Sequence, residues 1–372
     1  MTKPSEEFEQ RLDLKVVTPL FLGGASVTGS PEHRPPSLKG VMRFWHRAAG
    51  LSALKSEPRL FGSSSGKQAG QARFLLQAEA IPTANSVSSG FSELPLKYLG
   101  YGVEGKRSYI IPGTDLSMRL VFHPSLSVQD KGTVRRSLEL MSYFGGLGSR
   151  SRRGFGSVVL ADTVAEDVDD LADRINQITS SLEKPAYEHV TYTMFSQASR
   201  VLILPGEGGW RTTLAKAGRL LQTARSAQGD PLPDYPWSGQ DAALVGHYAA
   251  TGEIERAPAR AAFGLPHNYY FPDTGITVNV GGGRDRRASP LFLHVHPLVN
   301  GEHAIVITFL PAPLLPEGWK IRVSATRDRR PAQLAQQVFP PRDFEAVAGF
   351  LDHLKRQPEI GAKEVYLSNG HA

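Results

Sequence analysis

Residues 145–157 read GGLGSRSRRGFGS, three arginines and five glycines in thirteen positions with no acid among them. Guanidinium forks suit phosphate oxygens, and glycine lets a backbone take positive φ and bring its N–H groups close to a ligand. The chemistry these residue types predict is anion binding, with Gly146, Gly148 and Gly154 shaping the turn and Arg150, Arg152 and Arg153 supplying charge. A hairpin loop with solvated arginines is the plain alternative.

A second basic array occupies residues 34–50, RPPSLKGVMRFWHRAAG. Arg34 heads it, and Lys39, Arg43 and Arg47 recur every fourth residue, so a helix would line them on one face able to track a phosphate backbone. Phe44 and Trp45 offer stacking surface, but Trp45 falls on the apolar stripe with Leu38, Val41, Met42, Ala48 and Ala49 and is assigned to the core. A third array, GGGRDRR at 281–287, places Arg284, Arg286 and Arg287 after three glycines, with Asp285 offsetting one charge.

Other candidates carry less. His294 and His296 share one face of a strand, as some metal ligands do, without a third ligand at suitable spacing. His33 and His46 flank the basic helix and have the chemistry of an acid/base pair for RNA cleavage. GSSSGKQ at 62–68 is one residue short of a Walker loop and lacks the hydroxyl after Lys67. No catalytic residue, metal ligand or cofactor is assigned.

Composition sets the frame for these residues. The chain has 372 residues, and at roughly 100–200 residues per domain two domains are expected. With 40% hydrophobic residues a sizeable core is available. There is no cysteine, which removes disulfides and thiolate metal sites and points to a cytoplasmic location. No secretion signal or membrane span is read from the sequence, so no membrane partner is expected. Net charge is only +6, yet residues 34–157 hold 18 Lys and Arg against 7 Asp and Glu, while residues 158–182 hold one Arg and six acids. Basic charge collects in the part of the chain that ends in the glycine-arginine segment, as a polyanionic partner would require.

The elements that must position these residues follow from hydrophobic period. LDLKVV reads as a strand, residues 35–49 as a helix, ARFLLQAEAI and DLSMRLVFHP as strands, TVRRSLELMSYF as a helix, and GSVVLADTV as a strand. This β, α, β, β, α, β order is the split βαβ unit. After a helix over DDLADRINQITSSL the plan repeats: a strand over TYTMFSQASRVLIL, a helix over TLAKAGRLLQTAR, strands over ASPLFLHVHPL and HAIVITFLPAPLL, a helix over FEAVAGFLDHLKR and a short strand at KEVYL. Residues 226–258 show no clean period.

Through TPLFLGG, RPPSLKGVMRFWHRA, GGLGSRSRRGFGS and RRASPLFLHVH, the chain resembles the RAMP superfamily of CRISPR-associated proteins, and within it the family of subunits numbered one of type III-B Cmr effector complexes. That resemblance implies an α+β fold of two tandem ferredoxin-like, RRM-like RAMP domains with a glycine-rich loop, here residues 1–184 and 185–372. It implies a non-catalytic, RNA-binding subunit that contacts the 3′ region of a CRISPR RNA and the target RNA beside other Cmr RAMP subunits, with cleavage carried by a different subunit. A RAMP endoribonuclease that processes guide precursors and a purely protein-docking subunit are the two alternatives from other classes.

Overall fold

A computed structural model describes residues 8–24, 29–66, 69–78, 86–87, 90–225, 235, 239–283 and 286–367. The chain opens with strand β1 (Glu9–Val16), whose alternation buries Leu12, Leu14 and Val16. Helix α1 (Pro35–Ala48) starts at two prolines, which suit a first turn because its N–H groups have no helical partner. It ends before Gly50, where φ is 145°, and helix α2 (Leu51–Phe61) begins at once. The sequence pattern held no sign of α2, because Gly50 and Pro58 both read as breaks; Pro58 lies in the last turns of the helix.

Strand β2 (Phe74–Ala78), the two-residue ladder β3 (Ser86–Val87) and β4 (Tyr109–Ile110), the short helix α3 (Leu94–Leu99) and strand β5 (Asp115–Phe122) follow. Helix α4 (Val128–Phe144) is capped by Ser127, whose hydroxyl accepts from the Asp130 N–H. Strand β6 (Val158–Leu160) closes the first sheet and helix α5 (Val168–Ser180), capped by the Asp167 carboxylate, follows it. The strand order is β2-β5-β1-β6, all antiparallel. With α1 and α4 as the crossovers this is the ferredoxin-like order.

The second sheet repeats it. Strand β7 (Arg200–Pro205), helix α6 (Trp210–Arg225), strands β10 (Leu291–Pro297) and β11 (His303–Phe309) and the last strand β15 (Lys363–Val365) give the order β10-β11-β7-β15. The strand expected over 191–204 is confined to β7. Before it, Met194 and Phe195 are both buried in irregular chain, with the Phe195 N–H donating to the Ala48 carbonyl.

The residues pack as two compact units, one of Met1–Gly218, Phe292–Leu310 and Ala362–Ala372, the other of Arg219–Leu291 and Pro311–Gly361. Both four-stranded sheets belong to the first unit, and one continuous core joins Leu14, Met118 and Phe144 to Phe195, Ile203 and Val306. Trp45 is inside it, packed on Phe144, Phe195 and Phe292. Burying a tryptophan removes about 200 Å² from water, worth on the order of 5 kcal/mol, so this ring serves the core.

The second unit carries helix α7 (Gln240–Thr251), strands β8 (His267–Phe271), β9 (Ile276–Gly281), β12 (Ile321–Arg327), β13 (Arg330–Pro331) and β14 (Gln337–Phe339), and helix α8 (Glu345–Arg356). Its sheet runs β13-β12-β9-β8, with β14 also on β12. Ile276, Val278, Val280, Ile321 and Val323 form the buried face. Helix α7 falls in the stretch whose sequence showed no period; residues 226–234 and 236–238 of that stretch lie outside the described residues.

Candidate nucleic-acid interface

The glycine-arginine segment begins where α4 ends, at Gly145. Its backbone is built into the first unit. Gly148, Gly154 and Gly156 take φ of 82°, 79° and 64°. A Cβ on Gly148 would overlap the Phe21 carbonyl, one on Gly154 the Leu214 side chain, and one on Gly156 the Leu147 carbonyl. A Cβ on Gly146 would come within 2.9 Å of the Gly156 carbonyl oxygen. Within the fold these glycines allow close approach to the protein itself, to backbone carbonyls at Gly146, Gly148 and Gly156 and to the Leu214 side chain at Gly154. Thr18 Oγ1 donates to the Gly154 carbonyl at 2.7 Å and accepts from the Ser157 N–H at 2.9 Å. The Ser149 N–H donates to the Phe21 carbonyl at 2.8 Å, and Phe155 packs on Phe21 and Phe91.

The arginines of the segment are half-buried against neighbouring carbonyls and rings. Arg150 sits at φ 63° and donates through Nη2 to the Tyr101 carbonyl. Arg152 lies over the rings of Phe292 and Phe44, 4.4 and 5.5 Å from their centroids. Arg153 donates to the Tyr98 carbonyl at 3.2 Å and rests over its ring at 5.9 Å. Burial holds the Arg153 guanidinium below its usual pKa, the Tyr98 hydroxyl raises it and Arg150 lowers it further. Carbonyl oxygens and aromatic faces are thus among the partners of these arginines, and such groups orient a guanidinium.

Sequence reasoning missed the segment that supplies two of those carbonyls. Residues 94–107, LPLKYLGYGVEGKR, place exposed Lys97, Tyr101 and Lys106 beside the arginines, and Arg107 donates to Ser149 Oγ at 3.1 Å. The interleaving of Lys97, Tyr98, Tyr101, Lys106 and Arg107 with glycines was the available signal.

On α1 the expected basic stripe is divided. Arg47 is bidentate to Glu57 of α2 at 2.5 and 2.6 Å, and Arg43 lies 3.3 Å from the same carboxylate. Arg43 also donates to the Phe61 and Gly62 carbonyls at 2.8 and 2.7 Å. The idea of a helix exposing a continuous basic face is corrected: α2, which the sequence concealed, brings Glu57 onto that face. The Arg47 guanidinium holds the Glu57 carboxyl below the usual glutamate range. Lys39 lies over the Phe74 ring at 5.1 Å, and burial, helped by Arg43, lowers its pKa. Arg34 is exposed, donates to the Gly23 carbonyl at 3.3 Å and lies 3.9 Å from Glu32.

In the second unit, Arg286 is exposed, and Arg287 pairs its backbone with Leu265 and donates to the Ala312 carbonyl at 3.3 Å. Arg284 lies outside the described residues. Gly282 and Gly283 are again held against the protein's own side chains, Leu315 and Trp319.

His294, His296 and His46 are built into the fold. His294 and His296 are wholly buried and donate to the Gly145 and Thr163 carbonyls at 2.6 and 3.1 Å. Burial lowers their pKa values to about 4 and about 3. His46 is buried, with Nε2 against the Ala53 carbonyl and Ser56 Oγ, and burial lowers its pKa as it does that of His33. The segment, residues 94–107 with helix α3, and His294 together make a cation-bearing ledge in the first unit.

Residues 13–159 match the RAMP superfamily. The chain is 32% identical over 181 residues to the CRISPR system Cmr subunit Cmr1-2 of Pyrococcus furiosus, covering 41% of this chain and 94% of that protein. It is 26% identical over 349 residues to Cmr1-1 of the same organism, covering 83% of this chain and 90% of that one. The crystal structure of apo Cmr1 from Pyrococcus furiosus superposes with a TM-score of 0.56 at 19% identity, covering 98% of this chain and 100% of that one, a likeness of fold.

Proposed function

The chain belongs to the RAMP superfamily as a Cmr1-like protein, and on that premise we propose that it is a non-cleaving, RNA-positioning subunit of a type III-B CRISPR (Cmr) effector complex. Residues 1–184 and 185–372 are its two RAMP repeats, and other Cmr RAMP subunits are its protein partners. The observation that carries the reading is the ledge of Arg150, Arg152 and Arg153, whose guanidinium groups are oriented by the Tyr101 and Tyr98 carbonyls and the Phe292 and Phe44 rings.

A ledge of this kind contacts phosphates and reads no base edges, which suits a subunit whose guide sequence varies from one particle to the next. The RNA concerned is the 3′ region of the CRISPR RNA with its paired target. Lys39 and Arg34 are further candidate contacts in the first unit, and Arg284, Arg286 and Arg287 are separate candidates in the second; Arg43 and Arg47 contribute through the charge that Glu57 leaves uncompensated. Of the histidines considered for acid/base work, His46 is committed to an internal carbonyl, as are His294 and His296, which supports positioning over cleavage.

The test is a fluorescence-anisotropy titration with labelled single-stranded RNA at several salt concentrations, beside the R150A/R152A/R153A variant. Removing one phosphate-neutralising cation from a single-strand site lowers the salt slope by about 0.7, so the triple variant is expected to lower it by about 2 units, with the RNA recovered intact. Parent-like affinity in the variant overturns the site. RNA cut at defined positions in EDTA overturns the non-cleaving role.

A further inference from the structure

Among the described residues, three residues other than glycine take positive φ: Arg150 at 63°, Asp328 at 51° and Arg329 at 66°. Arg150 belongs to the ledge. The other two form the turn between β12 and β13, in the sequence TRDRRP at 326–331. A two-residue hairpin turn with both central φ positive favours Asn-Gly or Asp-Gly, so arginine at the second position carries a steric cost that glycine would avoid.

The register adds a second cost. Arg327 stands directly opposite Arg330, and like charges at facing positions of a hairpin are destabilising. Three exposed arginines and one acid thus occupy four consecutive positions. No described side chain pairs with the guanidinium groups of Arg327, Arg329 or Arg330. Beside the hairpin, within the second unit, lies a cleft of about 820 Å³ lined by Arg327, Asp328, Arg330, Gln333 and the α7 residues Ala249 and Ala250. Two departures from local preference at one hairpin, with no ion pair inside the described fold to offset them, mark a place kept for a ligand.

We propose that this arginine hairpin and its cleft are a second backbone site for single-stranded RNA, in the second unit; the proposal rests on the RNA-binding reading above. Facing residues of a hairpin lie about 5 Å apart at Cα, so Arg327 and Arg330 clamp phosphate oxygens from two sides while Arg329 projects from the tip. Guanidinium forks on two strands match a phosphodiester, and Gln333 supplies the neutral donor of the wall.

The test titrates the full-length chain with a fluorescein-labelled, mixed-sequence single-stranded RNA at several salt concentrations. R327Q/R330Q is expected to lower the salt slope by about 1.4, for two phosphate partners. R329G is expected to weaken binding while its melting temperature equals or exceeds that of the parent, because glycine relieves the turn; a merely structural hairpin would leave binding unmoved. A parent that binds RNA beside two variants with its slope and affinity overturns the hairpin site and leaves the ledge standing. A parent that binds no RNA, and associates only with acidic protein, overturns both.

Discussion

On α1, Arg43 and Arg47 share the carboxylate of Glu57; in the segment 145–157, Arg152 and Arg153 lie on aromatic rings and a carbonyl. The two regions use the same residue at similar density, and their local sequences both read as basic. What separates them is the neighbour each arginine meets. Glu57 is 12% exposed at its side chain and sits across both α1 arginines, which are 34% and 45% exposed, so one of their two charges is offset inside the fold. Among the partners of the segment arginines are carbonyls and rings, which orient a guanidinium. Stiffness differs too, because the segment is locked by positive-φ glycines against Phe21 and Leu147.

The largest expected effect tests that lock. G156A forces a Cβ onto the Leu147 carbonyl at a backbone position with φ 64°, and strain plus overlap should cost about 3 kcal/mol or more. Chemical denaturation reads it directly, and a variant as stable as the parent would show the segment to be loosely held, erasing the contrast with α1.

Next comes the floor under the segment. His294 donates to the Gly145 carbonyl, and burial lowers its pKa to about 4. Because the unfolded chain binds the proton first, its contribution is complete above the ordinary histidine range and is lost as pH falls toward about 4. Stability should fall by about 1.4 kcal/mol per pH unit for such a histidine in that window. Denaturation midpoints from pH 7 to 4 should therefore slope less steeply in H294N; identical slopes would remove the histidine from the floor.

The smallest effect concerns α1. E57Q breaks a partly exposed ion pair and should cost about 1 kcal/mol. Glu57 has a depressed pKa in the fold, so its stabilisation is present above the ordinary glutamate range and disappears as pH drops below it, a limb that E57Q should lack. The same variant sharpens the comparison: freeing Arg43 and Arg47 should steepen the RNA salt slope by about 0.7. An unchanged slope would put α1 outside the RNA path.

Both βαββαβ repeats were legible in the chain, because apolar periods of 3.6 and 2 are local and survive in a single sequence. Leu38, Met42 and Trp45 announced the buried face of α1, and the density of Gly and Arg at 145–157 announced the segment. Helix α2 was not legible, since Gly50 and Pro58 punctuate it, and with α2 went Glu57 and the fate of two arginines. The hairpin at 326–331 was hidden for a related reason: Asp-Arg in its turn lacks the glycine that usually marks one.

The sequence by itself determined the fold repeat, the placement of the core and the concentration of basic charge. Only the tertiary structure decided which arginines meet the Glu57 carboxylate, that the glycines of the segment pack against the protein itself, and that His294 and His296 belong to the core. Periodicity follows from backbone geometry within a few residues, whereas the state of a guanidinium depends on whichever carboxylate, carbonyl or ring the fold brings within about 4 Å.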